Sequence, residues 1–166
     1  MPVNFAFIGW MLTLFPEAKI IHCKRHPLDV CLSNFFTSYT SGNSFSYDLN
    51  HIAMYIKVYE PLMRYWYSIF NDKIFTVYYE NFISNSEQIG KRLVDWLDLT
   101  WNNRFLDHHK NKNIVLTSSL CQVRQEVYTS AVYRWRNYEH LIGDIKEILS
   151  NEIKAYESDL LVDASK

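Results

Sequence analysis

Apolar positions near the start of the chain recur with helical spacing. Phe5, Ile8, Leu12 and Phe15 fall on one face of a helix that Asn4 can cap. A polar turn follows this helix at once. No apolar run in the chain reaches the roughly 20 residues that a membrane-spanning helix needs. The pattern therefore predicts a short N-terminal helix that ends at about Phe15, and no transmembrane segment.

Two apolar runs rich in β-branched and aromatic residues predict strands at residues 19–23 and 74–79. A helix is expected after the first run, from Leu28 to about Thr37, with Pro27 at its first position. No hairpin signal joins the two runs, so they are expected to pair in parallel through crossover helices. The sequence thus predicts a helix-rich α/β fold with a parallel sheet and flanking helices.

A long helix is predicted from Tyr47 to Phe70, where apolar side chains keep helical spacing. Pro61 lies inside it. Because proline costs an interior helix about 3 kcal/mol, we expect a kink or a break near Glu60. Further helices are expected in the rest of the chain, with Asn85 or Ser86 capping the first of them, at residues 86–97, 101–109, 128–138 and 142–156.

The composition narrows the class of protein. The chain has 166 residues, of which 48% are apolar, and this is enough for one domain with a real core. An aromatic content of 16% excludes a disordered chain. The net charge of -1 disfavours a nucleic-acid-binding protein, because duplex affinity depends largely on Lys and Arg contacts to phosphates.

The cysteines and histidines indicate neither a disulfide framework nor a metal site. Cys23, Cys31 and Cys121 are odd in number and widely spaced, so core filling is the favoured interpretation, and a reducing compartment also fits. We accordingly expect a cytoplasmic protein. His108 and His109 are adjacent and do not share a helix face, so no metal is expected.

Candidate chemistry lies where the predicted strands end, because ligands bind at the carboxyl ends of parallel strands. Arg25 follows the first strand and opens a helix, an arrangement that suits a phosphate, and Ser33 lies about two turns further on. Tyr79 closes the second strand. Taken singly, each of these residues has an ordinary structural role: a surface charge, a helix serine or a core aromatic.

Two further candidates lie in the C-terminal part of the chain. Ser119 belongs to an irregular polar segment that also carries a glutamine and an arginine, and Arg134 stands beside Trp135. Taken singly, Ser119 suits a turn and Arg134 a helix face. No G-x-x-x-x-G-K-[ST] motif or other glycine-rich phosphate cradle occurs in the sequence. The sequence therefore favours binding of one phosphate, without the loop that holds a transferable group.

The order and spacing of these motifs resemble the C-terminal half of a sulfotransferase domain that uses 3′-phosphoadenosine 5′-phosphosulfate, and imply a partial P-loop-NTPase-like fold. The chain looks most similar to bacterial sulfotransferases with tetratricopeptide repeats, and more distantly similar to tyrosylprotein sulfotransferases. The residues that carry the resemblance are LFPEAKIIH at 14–22, RHPLDVCLS at 25–33, YENF at 79–82, TSSLCQVRQ at 117–125 and RWRNY at 134–138.

The resemblance implies where the donor nucleotide binds. The positions that match the family's 3′-phosphate site are Arg25, Ser33, Tyr79, Ser119 and Arg134. The family's glycine-rich phosphosulfate loop, its general base and a lysine would all correspond to positions upstream of Met1, so no catalytic residue is expected in this chain. Residues 1–150 are interpreted as the C-terminal part of the domain, and residues 151–166 as a helix end and tail.

The function implied is transfer of a sulfuryl group from 3′-phosphoadenosine 5′-phosphosulfate to a hydroxyl or phenol, with adenosine 3′,5′-bisphosphate as the product. The acceptor stays open between protein tyrosine, carbohydrate and small phenols. The isolated chain is expected to be inactive. Two alternatives remain: a non-catalytic nucleotide-binding remnant, and a helical interaction module that uses the aromatic face of residues 47–70.

Overall fold

Two five-residue strands, β1 (Ile20–Lys24) and β2 (Ile74–Tyr78), pair in parallel. The fold is seen in a computed structural model, which describes residues 3–39, 42–110 and 129–165. The register sets Ile20 opposite Ile74 and Lys24 opposite Tyr78, so both strands end at the same edge of the sheet. The predicted α/β class, with a parallel sheet, is confirmed.

Helices make up most of the described chain. Before β1 lies α1 (Ile8–Leu14), and the crossover from β1 to β2 contains α2 (Pro27–Phe36) and α3 (Leu49–Phe70). After β2 come α4 (Tyr79–Ser84), α5 (Ser86–Trp96), α6 (Gly143–Ile148) and α7 (Ser150–Ala164). Short 3-10 segments lie at Asn4–Phe7, Ser44–Tyr47, Asn71–Lys73, Asn103–Lys110 and Arg134–Leu141.

Of the kink or break expected near Glu60, the break is wrong, because α3 runs as one helix from Leu49 through Pro61 to Phe70. Proline removes one backbone hydrogen bond from a helix interior. Pro61 itself is exposed, whereas Ile56 and Met63 on either side of it are buried in the core. Burial of this apolar face therefore outweighs the local cost of the proline.

Two helix starts differ from the predictions. Asn4 does not cap a helix that runs to Phe15. Asn4–Phe7 form a 3-10 turn, and α1 begins only at Ile8, without a side-chain cap. Asn85 precedes α5 but makes no capping hydrogen bond through its side chain. Tyr79, expected to end the second strand, instead begins α4. This last difference turns the chain sharply at the edge of the sheet.

The apolar core has two parts, and α3 contributes to both. Leu28 and Ile52 belong to the larger part, which joins α2 and α3 to the C-terminal helices. Ile8 and Met63 belong to the smaller part, between α1 and α3. The long crossover helix thus ties the N-terminal and C-terminal segments to one sheet.

The close approach of α1 to α3 depends on Gly9. A Cβ atom added to Gly9 would lie 2.6 Å from Cη2 of Trp66. The indole N–H of Trp66 donates to the carbonyl of Phe5 at 2.9 Å, which fixes the ring against α1. The absence of a side chain at Gly9 therefore sets the distance between the two helices.

The last part of the chain is a packed helix. Residues 151–166 were expected to form a helix end and tail, and as far as Ala164 they lie within α7. Tyr156 is buried, and Asp163 lies 3.6 Å from the guanidinium of Arg92. Among the residues that the structure describes, no helix is long and apolar enough to cross a membrane.

Candidate functional site

The carboxyl edge of the sheet brings Arg25 and Tyr79 together. Lys24 and Tyr78 are paired at the ends of β1 and β2, so the residues that follow them emerge side by side. The guanidinium carbon of Arg25 lies 5.0 Å from the centroid of the Tyr79 ring. This distance is typical of a cation–π contact.

The remaining contacts of Arg25 hold its side chain in a half-buried position. Its Nη2 donates to the carbonyl of Ala131 at 2.5 Å and lies 3.6 Å from a carboxylate oxygen of Asp29. Its Nε is buried and finds no hydrogen-bond partner among the residues that the structure describes. Because buried donors are normally satisfied, this N–H group is a candidate contact for a bound acceptor atom.

Asp29 lies in the first turn of α2 and is fully buried. Its Oδ1 accepts the backbone N–H of Trp135 at 2.9 Å, while Oδ2 faces Arg25 and accepts no hydrogen bond from the described part of the chain. Burial raises the pKa of the Asp29 carboxyl, and the Trp135 N–H group and the Arg25 charge oppose that rise.

His26 links the start of α2 to the opposite side of the site. Its ring Nδ1 accepts the backbone N–H of Leu28 at 3.3 Å, which caps α2, and its own backbone N–H donates to Oε1 of Glu80 at 3.1 Å. The other oxygen of Glu80 accepts the hydroxyl of Tyr156. The buried Glu80 carboxylate therefore contacts both the start of α2 and the middle of α7.

The ring of His26 is enclosed by aromatic side chains. It stacks on Trp135 with the ring centroids 5.3 Å apart, and meets Tyr133 and Tyr156 edge-on. Burial lowers the pKa of His26 to about 4, and the neighbouring charges of Arg136, Arg25 and Lys146 act in the same direction. The imidazole is thus a neutral packing and capping group at neutral pH.

Ser33 lies further along α2, and Arg134 packs against the last turn of the same helix. Ser33 is exposed and stands one helical turn after Asp29, so both point from the same side of the helix. The guanidinium carbon of Arg134 lies 5.3 Å from the ring centroid of Phe36, near the end of α2. Ser119 lies outside the residues that the structure describes. The structure thus joins Arg25 to Tyr79, and places Ser33 and Arg134 beside the adjoining helix.

A cavity of about 680 Å³ runs along β1 and reaches Arg25. Its walls are mostly apolar and aromatic, and come largely from β1 and α3. Ligand pockets commonly have volumes of about 300–1,000 Å³. Tyr79, Ser33 and Arg134 do not line it, so Arg25 is the proposed site residue that connects the carboxyl edge to this space.

One polar network in the cavity wall was missed by the sequence analysis. His22 on β1 is bonded through Nδ1 to the hydroxyl of Tyr67, at 2.6 Å, and through Nε2 to the hydroxyl of Tyr59. The Tyr67 hydroxyl also contacts Oγ1 of Thr76 at 2.5 Å. Burial, followed by the charge of Lys24, lowers the pKa of His22 to about 4. This network fixes α3 against the face of the sheet.

The sequence alone indicates polar positions at Glu80 and Asp29, but it does not show that these carboxylates are buried. Glu80 follows the end of a strand and Asp29 opens a helix, which are positions where polar residues are common. Their burial depends on Tyr156 and on Trp135, which lie far away in the sequence. Within the described ranges, no group of three or more His, Cys, Asp or Glu residues is arranged to hold a metal ion.

Comparison with known proteins places these features in a wider context. A family model described as “Sulfotransferase family” matches residues 1–103, which include β1, β2 and the positions of Arg25, Ser33 and Tyr79. An uncharacterized protein of Aquifex aeolicus (strain VF5) is 33% identical over 160 residues, which cover 95% of this chain and 21% of that protein. The chain thus spans about a fifth of the length of this relative.

Proposed function

Since the chain belongs to the sulfotransferase family, we propose that it provides the 3′-phosphate-binding part of a transferase that uses 3′-phosphoadenosine 5′-phosphosulfate. The proposed contacts with this phosphate are Arg25, Ser33, Tyr79, Ser119 and Arg134. Residues 1–150 form this part of the domain in the proposal. The acceptor in the complete protein is a hydroxyl or phenol, carried by a protein tyrosine, a carbohydrate or a small molecule.

The groups around the start of α2 suit an anion. The Nε of Arg25 and the Nε1 of Trp135 are buried donors that have no hydrogen-bond partner within residues 3–39, 42–110 and 129–165, and a phosphate offers acceptor oxygens to such groups. The positive end of α2 adds to the attraction. The Asp29 carboxylate offsets part of this charge, so the site depends on geometry as well as on net charge.

The residues of this chain bind and orient the adenosine end of the donor in the proposal. When bound, 3′-phosphoadenosine 5′-phosphosulfate supplies the sulfuryl group that passes to the acceptor oxygen. Such transfer depends on positioning of the reactants and on stabilisation of spreading negative charge. Because the sequence has no glycine-rich cradle for the phosphosulfate, we propose that the 166 residues alone do not catalyse the transfer.

The contact between Arg25 and Tyr79 at the carboxyl edge of the sheet is the observation that carries the proposal. Isothermal titration calorimetry of the chain with adenosine 3′,5′-bisphosphate tests it. Arg25→Gln should weaken binding by about tenfold or more, because hydrogen bonds to charged groups contribute about 1.5–3 kcal/mol. Adenosine 5′-phosphate, which lacks the 3′-phosphate, should bind more weakly and lose little affinity in the same variant.

Arg64→Gln is the matched control, because it removes the same charge from an exposed position of α3. This variant should bind the bisphosphate as the wild type does. Failure of the wild-type chain to bind the bisphosphate, or equal losses in the Arg25 and Arg64 variants, would contradict the proposed phosphate site.

An interaction module is the second candidate function, and one observation favours it. Large apolar side chains are exposed along one face of α3, at Met54, Val58, Tyr65 and Ile69. Exposed apolar patches of this kind commonly mark contact surfaces. A protein with this function alone would show no heat of binding with the bisphosphate. In sedimentation velocity experiments, Val58→Lys would reduce its self-association.

A further inference from the structure

A single buried carboxylate contacts both sides of the proposed phosphate site. Oδ2 of Asp29 lies 3.6 Å from Nη2 of Arg25, and Oδ1 accepts the backbone N–H of Trp135 at 2.9 Å. The Asp29 side chain has no exposed surface. It therefore joins the segment after β1 to the segment that carries Arg134.

Arg25 and Asp29 hold this second segment at two points. Arg25 donates to the carbonyl of Ala131, and Asp29 accepts the N–H of Trp135. Between these two bonds lies Tyr133, whose φ of 53° places it in the left-handed region. Non-glycine residues rarely adopt this conformation, and they keep it where surrounding contacts enforce it. The path of the chain up to Arg134 is thus set by the Arg25–Asp29 pair rather than by local preference.

The charge of Asp29 does not explain its presence at an anion site. A carboxylate next to Arg25 competes with a phosphate for the same guanidinium and repels it. What Asp29 contributes is an acceptor at a fixed place, since the Trp135 N–H would otherwise be a buried donor without a partner. An uncharged acceptor of the same shape should serve equally well.

We propose that Asp29 is a positioning residue of the phosphate site: its bond to the Trp135 N–H holds the segment that carries Arg134 against α2, the helix that contains Ser33 and begins just after Arg25. The inference rests on the proposed function. If Asp29 were merely structural, every substitution that lowers the stability of the fold would also lower the affinity for the 3′-phosphate. A positioning role predicts instead that stability and affinity can change independently.

Two variants of nearly equal size test this role. Asp29→Asn keeps an oxygen for the Trp135 N–H but removes the charge, whereas Asp29→Leu removes both and still fills the space. Thermal unfolding should show a lower midpoint for both variants than for the wild type, because Arg25 loses its buried counter-charge. Calorimetry with adenosine 3′,5′-bisphosphate should show a dissociation constant within about twofold of wild type for the Asn variant, or tighter. The Leu variant should bind about tenfold more weakly.

A double-variant comparison tests whether Asp29 acts through Arg134. In an Arg134→Gln background, Asp29→Leu should weaken binding by less than about twofold, because the residue that it positions is already absent. If Asp29→Leu does not fold, Asp29→Ala takes its place, and a tenfold loss in the Asn variant alone overturns the inference. Equal dissociation constants for the wild type and the Leu variant also overturn it. If the wild type does not bind the bisphosphate, the proposed function itself fails.

Discussion

The guanidinium of Arg25 and the ring of Tyr79 lie in contact at the point where β1 and β2 end. Their meeting follows directly from the parallel register, which pairs Lys24 with Tyr78. Arg25 is also bound to Ala131, so three separate parts of the chain converge on one side chain. A small change at Tyr79 therefore tests the geometry of the whole edge.

Tyr79→Phe should separate the stability of this contact from its use in binding. The phenyl ring keeps the cation–π contact with Arg25, so the contribution of this contact to the free energy of unfolding should be retained. Loss of the hydroxyl should weaken binding of adenosine 3′,5′-bisphosphate by about two- to tenfold, since one hydrogen bond contributes about 0.5–1.5 kcal/mol. Urea unfolding and calorimetry measure the two quantities.

Tyr79→Leu is the control for the ring. This variant removes the aromatic face under Arg25 and should lower stability further than Tyr79→Phe does. Equal stability of the Phe and Leu variants would show that the cation–π contact contributes nothing. Unchanged binding in the Phe variant would remove Tyr79 from the proposed phosphate contacts.

The stability of the fold should fall in mild acid. The pKa values of His22 and His26 are lowered to about 4, whereas a histidine in the unfolded chain has a pKa of about 6.5. Between these values the unfolded chain binds more protons, so the free energy of unfolding decreases as the pH falls from 6.5 towards 4. Each histidine contributes at most about 1.4 kcal/mol per pH unit. Raised pKa values at Asp29 and Glu60 act in the opposite direction.

Urea unfolding at pH 7.5 and pH 5 measures this dependence. His22→Gln should lower the stability at pH 7.5, because two tyrosine hydroxyls lose their bonds to the ring, and it should reduce the difference between the two pH values. His140→Gln, at an exposed position, should leave that difference as it is in the wild type. An undiminished difference in the His22 variant would show that this ring does not drive the acid sensitivity.

Tyr156→Phe should destabilise the fold by about 1–3 kcal/mol, because a buried carboxylate oxygen of Glu80 loses its donor. Chemical denaturation provides the measurement. Combining the change with Glu80→Met should give less than the sum of the two single effects, since each variant removes the hydrogen bond between these two side chains. Tyr65→Phe, at an exposed tyrosine of α3, is expected to have almost no effect. Full additivity of the first two would count against a shared bond.

Gly9→Ala should lower stability by about 1–3 kcal/mol, because the new methyl group overlaps the Trp66 ring. Gly143→Ala is the matched control, since no atom lies within 4 Å of the position that its Cβ would take. This second change should be neutral or stabilise the fold by up to about 1 kcal/mol. Thermal unfolding distinguishes the two, and a stable Gly9 variant would mean that α1 shifts freely on α3.

The elements that the sequence predicted well are those with strong local patterns. The β-branched run that begins at Ile20 forms β1, and Pro27 begins α2 as expected. The expectation that Pro61 breaks the helix failed, because burial of the apolar face of α3 before and after this residue keeps the helix continuous. Local patterns also could not show that Asp29 is buried, because its partner Trp135 reaches it only through the folded chain.

In the candidate site, too, local patterns predicted some features and tertiary contacts determined others. Position after a strand was enough to select Arg25 and Tyr79, which the structure brings into contact. Nothing local could place Arg134 over Phe36, since that contact depends on the unusual backbone at Tyr133 and on the bonds that enforce it. Sequence pattern therefore identified candidate anion contacts, and the tertiary structure revealed the buried carboxylates of Asp29 and Glu80 near them.

The two strands are joined only through the whole of α2 and α3, and this has a kinetic consequence. Closing so long a loop costs chain entropy before any strand pairing compensates for it, and domains dominated by such distant contacts fold slowly. The helices can form early on local interactions, but the edge at Arg25 and Tyr79 exists only after β1 and β2 have met. Strand pairing and formation of the proposed anion site should therefore take place together, late in folding.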